Sequence, residues 1–210
     1  MPTPLRLAYP ARAGPARRRA AYAACLPALQ AMIARDSGLW NKRQMALPLI
    51  VVGGVAGCGK TTLAAALAAA RGLPFRDGDD FHPRANTAKM AAGVALTDAD
   101  RAPWLAACAA QLAAWGAAGS GGVISASALK RQYRDQLHAA SPGVTYVLIR
   151  ITPKLAAARA AARPNHFWPA SLTASQFAIL EEPTADEAAI CVDAQWPTND
   201  QVAAVLCALG

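Results

Sequence analysis

A short apolar run, Leu49-Ile50-Val51-Val52, ends at Gly53-Gly54 and opens onto Gly54-Val55-Ala56-Gly57-Cys58-Gly59-Lys60-Thr61. The eight residues match G-x-x-x-x-G-K-[ST] at every fixed position. The β-branched run reads as a buried strand, and the residues through Thr62 to Arg71 read as a helix. A strand, a glycine-rich turn and a helix in that order constrain the chain strongly. Glycines let backbone N–H groups turn inward onto phosphate oxygens. A helix starting near Lys60 points its positive dipole end at the same anion. In such a loop Gly54 to Gly59 cradle phosphate and Lys60 reaches the β- and γ-phosphates. Thr61 offers a hydroxyl to Mg²⁺, and Thr62 continues the phosphate-facing helix start. Cys58 occupies a variable position, where no chemical role is assigned to it.

The rest of the chain repeats the alternation. Further strands are read at Pro74–Arg76, Val123–Ser125, Val144–Ile151 and Ile190–Val192. Helices are read at Asp98–Ala118, Lys130–Ala139, Pro153–Arg163, Ser171–Leu180 and Asn199–Leu209. Asp98 is the expected N-cap of the long helix. Strands alternating with helices imply an α/β domain with a largely parallel sheet. At 210 residues the chain suits one domain of this kind.

The formal charge of +8 invites a nucleic-acid reading, so its location matters. Residues 1–47 hold eight basic groups (Arg6, Arg12, Arg17, Arg18, Arg19, Arg35, Lys42 and Arg43) against Asp36 alone. The other 163 residues hold 13 basic and 12 acidic groups. The basicity therefore belongs to an Ala/Arg/Pro-rich leader, expected to be poorly ordered, and not to the 48–210 domain. The leader lacks interleaved aromatics and any recognisable binding module, which argues against nucleic acid. A start at Met45 is the simplest account of it; mass spectrometry of the native N-terminus should find a chain beginning there, and one beginning near Met1 refutes it. No stretch approaches the ~20 apolar residues of a membrane helix. Five cysteines, with no C-x-x-C pair and no evident secretory signal, fit a reduced, cytoplasmic compartment.

The second strand opens onto Asp77-Gly78-Asp79, at the carboxyl-end crevice where ligands bind in open α/β sheets. One carboxylate there can hold Mg²⁺, and another can orient or deprotonate an attacking hydroxyl. Asp77 is expected nearer the metal and Asp79 at the hydroxyl.

From Pro48 to about residue 200 the sequence resembles the gluconokinases, small P-loop kinases that phosphorylate D-gluconate. The likeness is carried by Gly54–Thr61, then Asp77-Gly78-Asp79-Asp80-Phe81-His82-Pro83, Asn86, Lys89-Met90 and Gly93. It continues in Leu96–Arg101 with Pro103-Trp104-Leu105, Ser127–Arg131 with Tyr133-Arg134-Asp135, His166-Phe167, Ser175-Gln176-Phe177, Leu180-Glu181, Pro183 and Asp186-Glu187. The resemblance implies a nucleoside-monophosphate-kinase-like P-loop fold. Its sheet would have five mainly parallel strands, helices on both faces and a small lid near 163–170. It also implies ATP and Mg²⁺ as cofactors, D-gluconate as substrate and a homodimer.

Residue by residue, the likeness points to Lys60, Asp79 and Arg163 as catalytic groups. Arg84, Lys89, Arg101, Lys130, Arg131 and Arg134 are candidate cations for a sugar acid. Arg is suited to bidentate carboxylate contacts. Asp79, His82, Asn86 and the lid's His166 are candidate hydroxyl partners. Arg159 and Arg163 precede a Pro164–Pro169 break that fits a lid over ATP, where positive charge stabilises the transferring phosphoryl. Asp193 and Pro197 correspond to the adenine side. The lid departs from the family's R-x-G-H-F, reading Arg163-Pro164-Asn165-His166-Phe167, and the fourth strand ends in Arg150-Ile151-Thr152-Pro153 without the usual glycine turn. A shikimate-kinase-like enzyme, a nucleic-acid-binding protein and an inactive nucleotide sensor are the competing readings. The first does not account for His82-Pro83 with Asn86, and retention of Lys60, Thr61, Asp77 and Asp79 opposes the last.

Overall fold

A computed structural model describes residues 47–162 and 170–210. Residues 1–46 and 163–169, and with the latter the expected lid residues Arg163 and His166, lie outside the described residues. In chain order the elements are β1 Leu49–Gly53, α1 Lys60–Arg71, β2 Phe75–Asp77, α2 Arg84–Ala91, α3 Asp98–Ala118, β3 Gly122–Ser125, α4 Arg131–Ala140, β4 Val144–Arg150, α5 Pro153–Ala161, α6 Ala170–Ile179, β5 Ile190–Asp193 and α7 Thr198–Leu209. Two 3₁₀ turns, Gly78–Phe81 and Ala185–Glu187, complete them.

The five strands form one sheet in the order β2-β3-β1-β4-β5, every neighbouring pair parallel. β1 sits centrally, paired at Leu49 with both Gly122 and Val144. Its alternation splits the core. Ile50 and Val52 pack with Leu63 and Leu67 of α1 and Val205 of α7 on one face. Leu49 and Val51 pack with Trp104, Leu105 and Leu112 of α3 and Leu137 of α4 on the other. A strand covered on both faces has no polar side, which is why it reads as a continuous apolar run. Among the described residues no helix is long and apolar enough to cross a membrane.

Two local readings need correction. The N-cap of α3 is Thr97, not Asp98. Thr97 Oγ1 accepts from the Asp100 N–H at 3.2 Å, and the Asp100 carboxylate accepts from the Thr97 N–H at 2.9 Å, a reciprocal capping box. Asp98 instead accepts from Lys130 at 2.7 Å and from the Tyr133 hydroxyl, joining α3 to the start of α4. Helix α2 has no counterpart in the sequence reading; Pro83 introduces it, with the fixed φ that suits a helix start.

Arg134 and Arg131 were expected to face substrate, and the structure puts them elsewhere. Arg134 is buried on α4. Its guanidinium pairs with both Glu187 oxygens, donates to the carbonyls of Leu129 and Glu181 at 3.0 Å each, and lies 5.4 Å from the Tyr146 ring. Arg131 pairs with Asp135 at 2.7 Å and Asp186 at 2.9 Å in the same concavity. The two side chains tie α4 to the segment before β5. Arg134 and Glu187 side chains are 4% and 7% exposed, so removing one partner strands a buried charge. Glu187→Ala should therefore cost about 3–5 kcal/mol in a urea denaturation series; a loss below about 1 kcal/mol would show the pair behaving as a surface contact.

Candidate active site

The loop between β1 and α1 closes tightly over the sheet. Gly54 has φ +135°, and a Cβ there would meet the Ile149 carbonyl at 2.8 Å, so both conformation and space require glycine. Helix α1 begins at Lys60, and the Lys60 Nζ donates to the Val55 carbonyl at 3.2 Å, folded back over its own loop. Cys58 is buried beneath the loop, and burial pushes its thiol pKa up, leaving it protonated and inert. Arg159 on α5 donates to the carbonyls of Cys58 at 3.3 Å and Ala194 at 2.7 Å, tying the loop to the end of β5. Thr62 is exposed on the first turn of α1.

Asp77 ends β2, and both its oxygens are engaged. Oδ2 accepts from the Thr61 hydroxyl at 2.9 Å. Oδ1 accepts from Ser125 Oγ at 2.8 Å and from the Asp79 N–H at 3.1 Å. Gly78 makes this possible: a Cβ there would lie 2.1 Å from the Ser125 carbonyl, so only glycine lets β2 run this close to β3. The Thr61 hydroxyl and the Asp77 carboxylate are hard oxygen donors, the chemistry Mg²⁺ prefers. Among the described residues no cluster of three or more His, Cys, Asp or Glu could hold a metal. A cation bound here would complete its shell with phosphate oxygens and water, as Mg²⁺ at phosphate sites does.

A cavity of about 300 Å³ opens in front of the loop. It is lined by Gly57, Gly59, Lys60 and Thr61 from the loop side, by Asp79, His82, Arg101, Trp104 and Ser127 from the sheet side, and by Gln176 from α6. The Asp79 side chain is 70% exposed, its carboxylate 4.0 Å from His82 Nε2. The His82 ring stacks on Trp104 with centroids 4.8 Å apart. Trp104 is itself buried and donates its indole N–H to the Gly78 carbonyl at 2.7 Å. Arg101 Nη1 donates to the Leu96 carbonyl, which fixes the wall opposite α1.

Among the described residues, Asn86, Lys89, Lys130 and Arg84 do not line the cavity. Asn86 is buried behind it, donating to the Asp100 carbonyl at 2.7 Å and lying 3.5 Å from His82 Nδ1, so it supports the histidine from behind. Lys89 pairs with Asp100 at 2.6 Å and Lys130 with Asp98 at 2.7 Å. Arg84 is exposed at the start of α2. Sequence reasoning missed Ser125, whose signal was a lone hydroxyl at the carboxyl end of an apolar strand. It assigned no role to Gln176.

Burial lowers the His82 pKa below its usual 6.5; Asp79 opposes the shift and Arg101 adds to it. The unfolded chain therefore takes up this proton at a higher pH than the folded one. The histidine's contribution to stability is complete above pH 6.5 and is lost as pH falls from there through the folded pKa. NMR titration of the His82 ring should give a midpoint below 6.5; a midpoint above it would mean that the Asp79 charge, which favours the imidazolium, outweighs burial of the ring.

With this geometry in place, likeness to known proteins is informative. The model of the AAA domain family matches residues 49–183. The chain is 46% identical to the gluconokinase of Gluconobacter oxydans (strain 621H) over 157 residues, covering 74% of this chain and 88% of that protein. It is 40% identical to the thermosensitive gluconokinase of Escherichia coli (strain K12), covering 68% of this chain and 76% of the relative. The crystal structure of a gluconokinase from Sinorhizobium meliloti 1021 superposes with a TM-score of 0.71 at 40% identity, covering 79% of this chain and 93% of that one. A phosphate loop, a paired-aspartate crevice and this degree of likeness across most of the relatives' length lead to one assignment: the chain belongs to the gluconokinase family.

Proposed function

We propose that this enzyme transfers the γ-phosphoryl group of ATP to D-gluconate, giving ADP and 6-phospho-D-gluconate. The observation that carries the reading is a single cavity that brings Lys60 and Thr61 of the phosphate loop together with Asp79, His82 and Arg101. The loop amides and Lys60 hold the phosphates. Thr61 and Asp77 would hold Mg²⁺, which when bound neutralises charge on the β- and γ-phosphates.

Asp79 is the free carboxylate of the pair, since Asp77 is committed to Thr61, Ser125 and the Asp79 amide. It accepts the proton of the attacking substrate hydroxyl as the O–P bond forms and the bond to the ADP oxygen breaks. His82, held neutral by burial, bonds a hydroxyl through its ring edge. Arg101 supplies a cation in the cavity wall for the polyol carboxylate. Arg163 and His166, from the lid, complete the same reading: Arg163 offsets charge on the transferring group and His166 bonds the acceptor. The homodimer rests on family likeness alone. A cytoplasmic location fits the buried, free cysteines Cys58 and Cys108.

A coupled ADP-release assay across gluconate, shikimate and related sugar acids should show turnover with gluconate. Turnover with another acid and none with gluconate would overturn the substrate assignment. Lys60→Ala should reduce gluconate turnover to background in the same assay; retained activity would mean that the loop does not hold the nucleotide.

A further inference from the structure

Helix α6 reaches the phosphate loop through one side chain. Gln176 Oε1 accepts a hydrogen bond from the Ala56 backbone N–H at 2.6 Å, across 120 residues of sequence. Ala56 and Gln176 both line the cavity that holds Lys60 and Asp79. A carboxamide carries its acceptor and its donor on opposite arms of one plane. With Oε1 committed to the loop, the NH₂ must serve something else, and among the described residues Nε2 has no hydrogen-bond partner. A donor held rigidly by its own oxygen, in a cavity between a nucleotide loop and a general base, is suited to an anionic oxygen.

We infer that Gln176 is a catalytic residue that binds the γ-phosphoryl group. Its oxygen clamps the Ala56 amide, and its NH₂ donates to a γ-phosphoryl oxygen. The inference rests on the cavity being the ATP site, though not on which acid accepts the phosphoryl. The clamp also ties α6, which packs on α5, to the loop. An enzyme holding ATP thus has a contact that it lacks with ADP.

Gln176→Glu separates the two halves of the amide. The carboxylate still accepts from the Ala56 N–H but presents a negative oxygen where the donor stood. Titration of the full chain with a non-hydrolysable ATP analogue and with ADP, each with Mg²⁺, should show affinity for the analogue reduced about 10- to 100-fold. Affinity for ADP should stay within about twofold. Gln176→Ala, with its thermal midpoint measured as a folding control, should lower kcat about tenfold or more. Equal changes for the two nucleotides, no change for either, or wild-type kcat in Gln176→Ala would reduce Gln176 to a structural clamp and overturn the inference. Wild-type enzyme that turns over an acid other than gluconate while Gln176→Glu still discriminates against the analogue would overturn the substrate assignment alone.

Discussion

The carboxylate of Asp77 is the interaction on which the site depends. Three separate parts of the chain donate to it: Thr61 at the start of α1, Ser125 at the end of β3, and the Asp79 amide in the turn beyond β2. These parts lie 16, 48 and 2 residues away in sequence, yet one side chain sets their spacing. Without it the Thr61 hydroxyl and Asp79 would be positioned by loops alone. With it they are referenced to the ends of β2 and β3 in the sheet. Division of labour follows: a carboxylate with both oxygens engaged is held fixed, and the exposed neighbour is left to meet substrate.

Behind this hub the support is layered. Trp104 plugs the core and holds the Gly78 carbonyl, and His82 stacks on Trp104. Asn86 meets the far edge of His82 and reaches the Asp100 carbonyl, while the Asp100 side chain closes the capping box that starts α3. The long helix, the histidine and the Gly78–Phe81 turn are thus one connected unit. Among the described residues no buried side-chain nitrogen or oxygen lacks a partner, as buried polar groups require.

The strand–loop–helix start, the five strands and the aspartate pair were legible because each leaves a local mark: a β-branched run, glycines at fixed spacing, acidic residues at a strand end. The cap of α3 was misread because Thr97 and Asp98 are both good caps; the reciprocal bonds of Thr97 with Asp100, together with the long-range pull of Lys130 and Tyr133 on Asp98, decide between them. Arg131 and Arg134 misled for a similar reason. A basic cluster on a helix looks alike whether it faces a sugar acid or Asp186 and Glu187, and those partners lie about 50 residues downstream. Gln176 stood among the residues that carry the likeness but was given no role, since its contact is with an amide 120 residues away. The basic charge, which first pointed to nucleic acid, lies in residues 1–47 and does not describe the catalytic domain.

The central claim is that Asp77 serves the metal and Asp79 the reacting hydroxyl. Steady-state rates of Asp77→Asn and Asp79→Asn across a Mg²⁺ titration test it most directly. Asp79→Asn should lose about 10²–10⁴-fold in kcat with an unchanged Mg²⁺ requirement. Asp77→Asn should need more Mg²⁺ for half-maximal rate and recover part of its activity as Mg²⁺ rises. The reverse pattern, with the Mg²⁺ requirement shifted only in Asp79→Asn, would contradict the account.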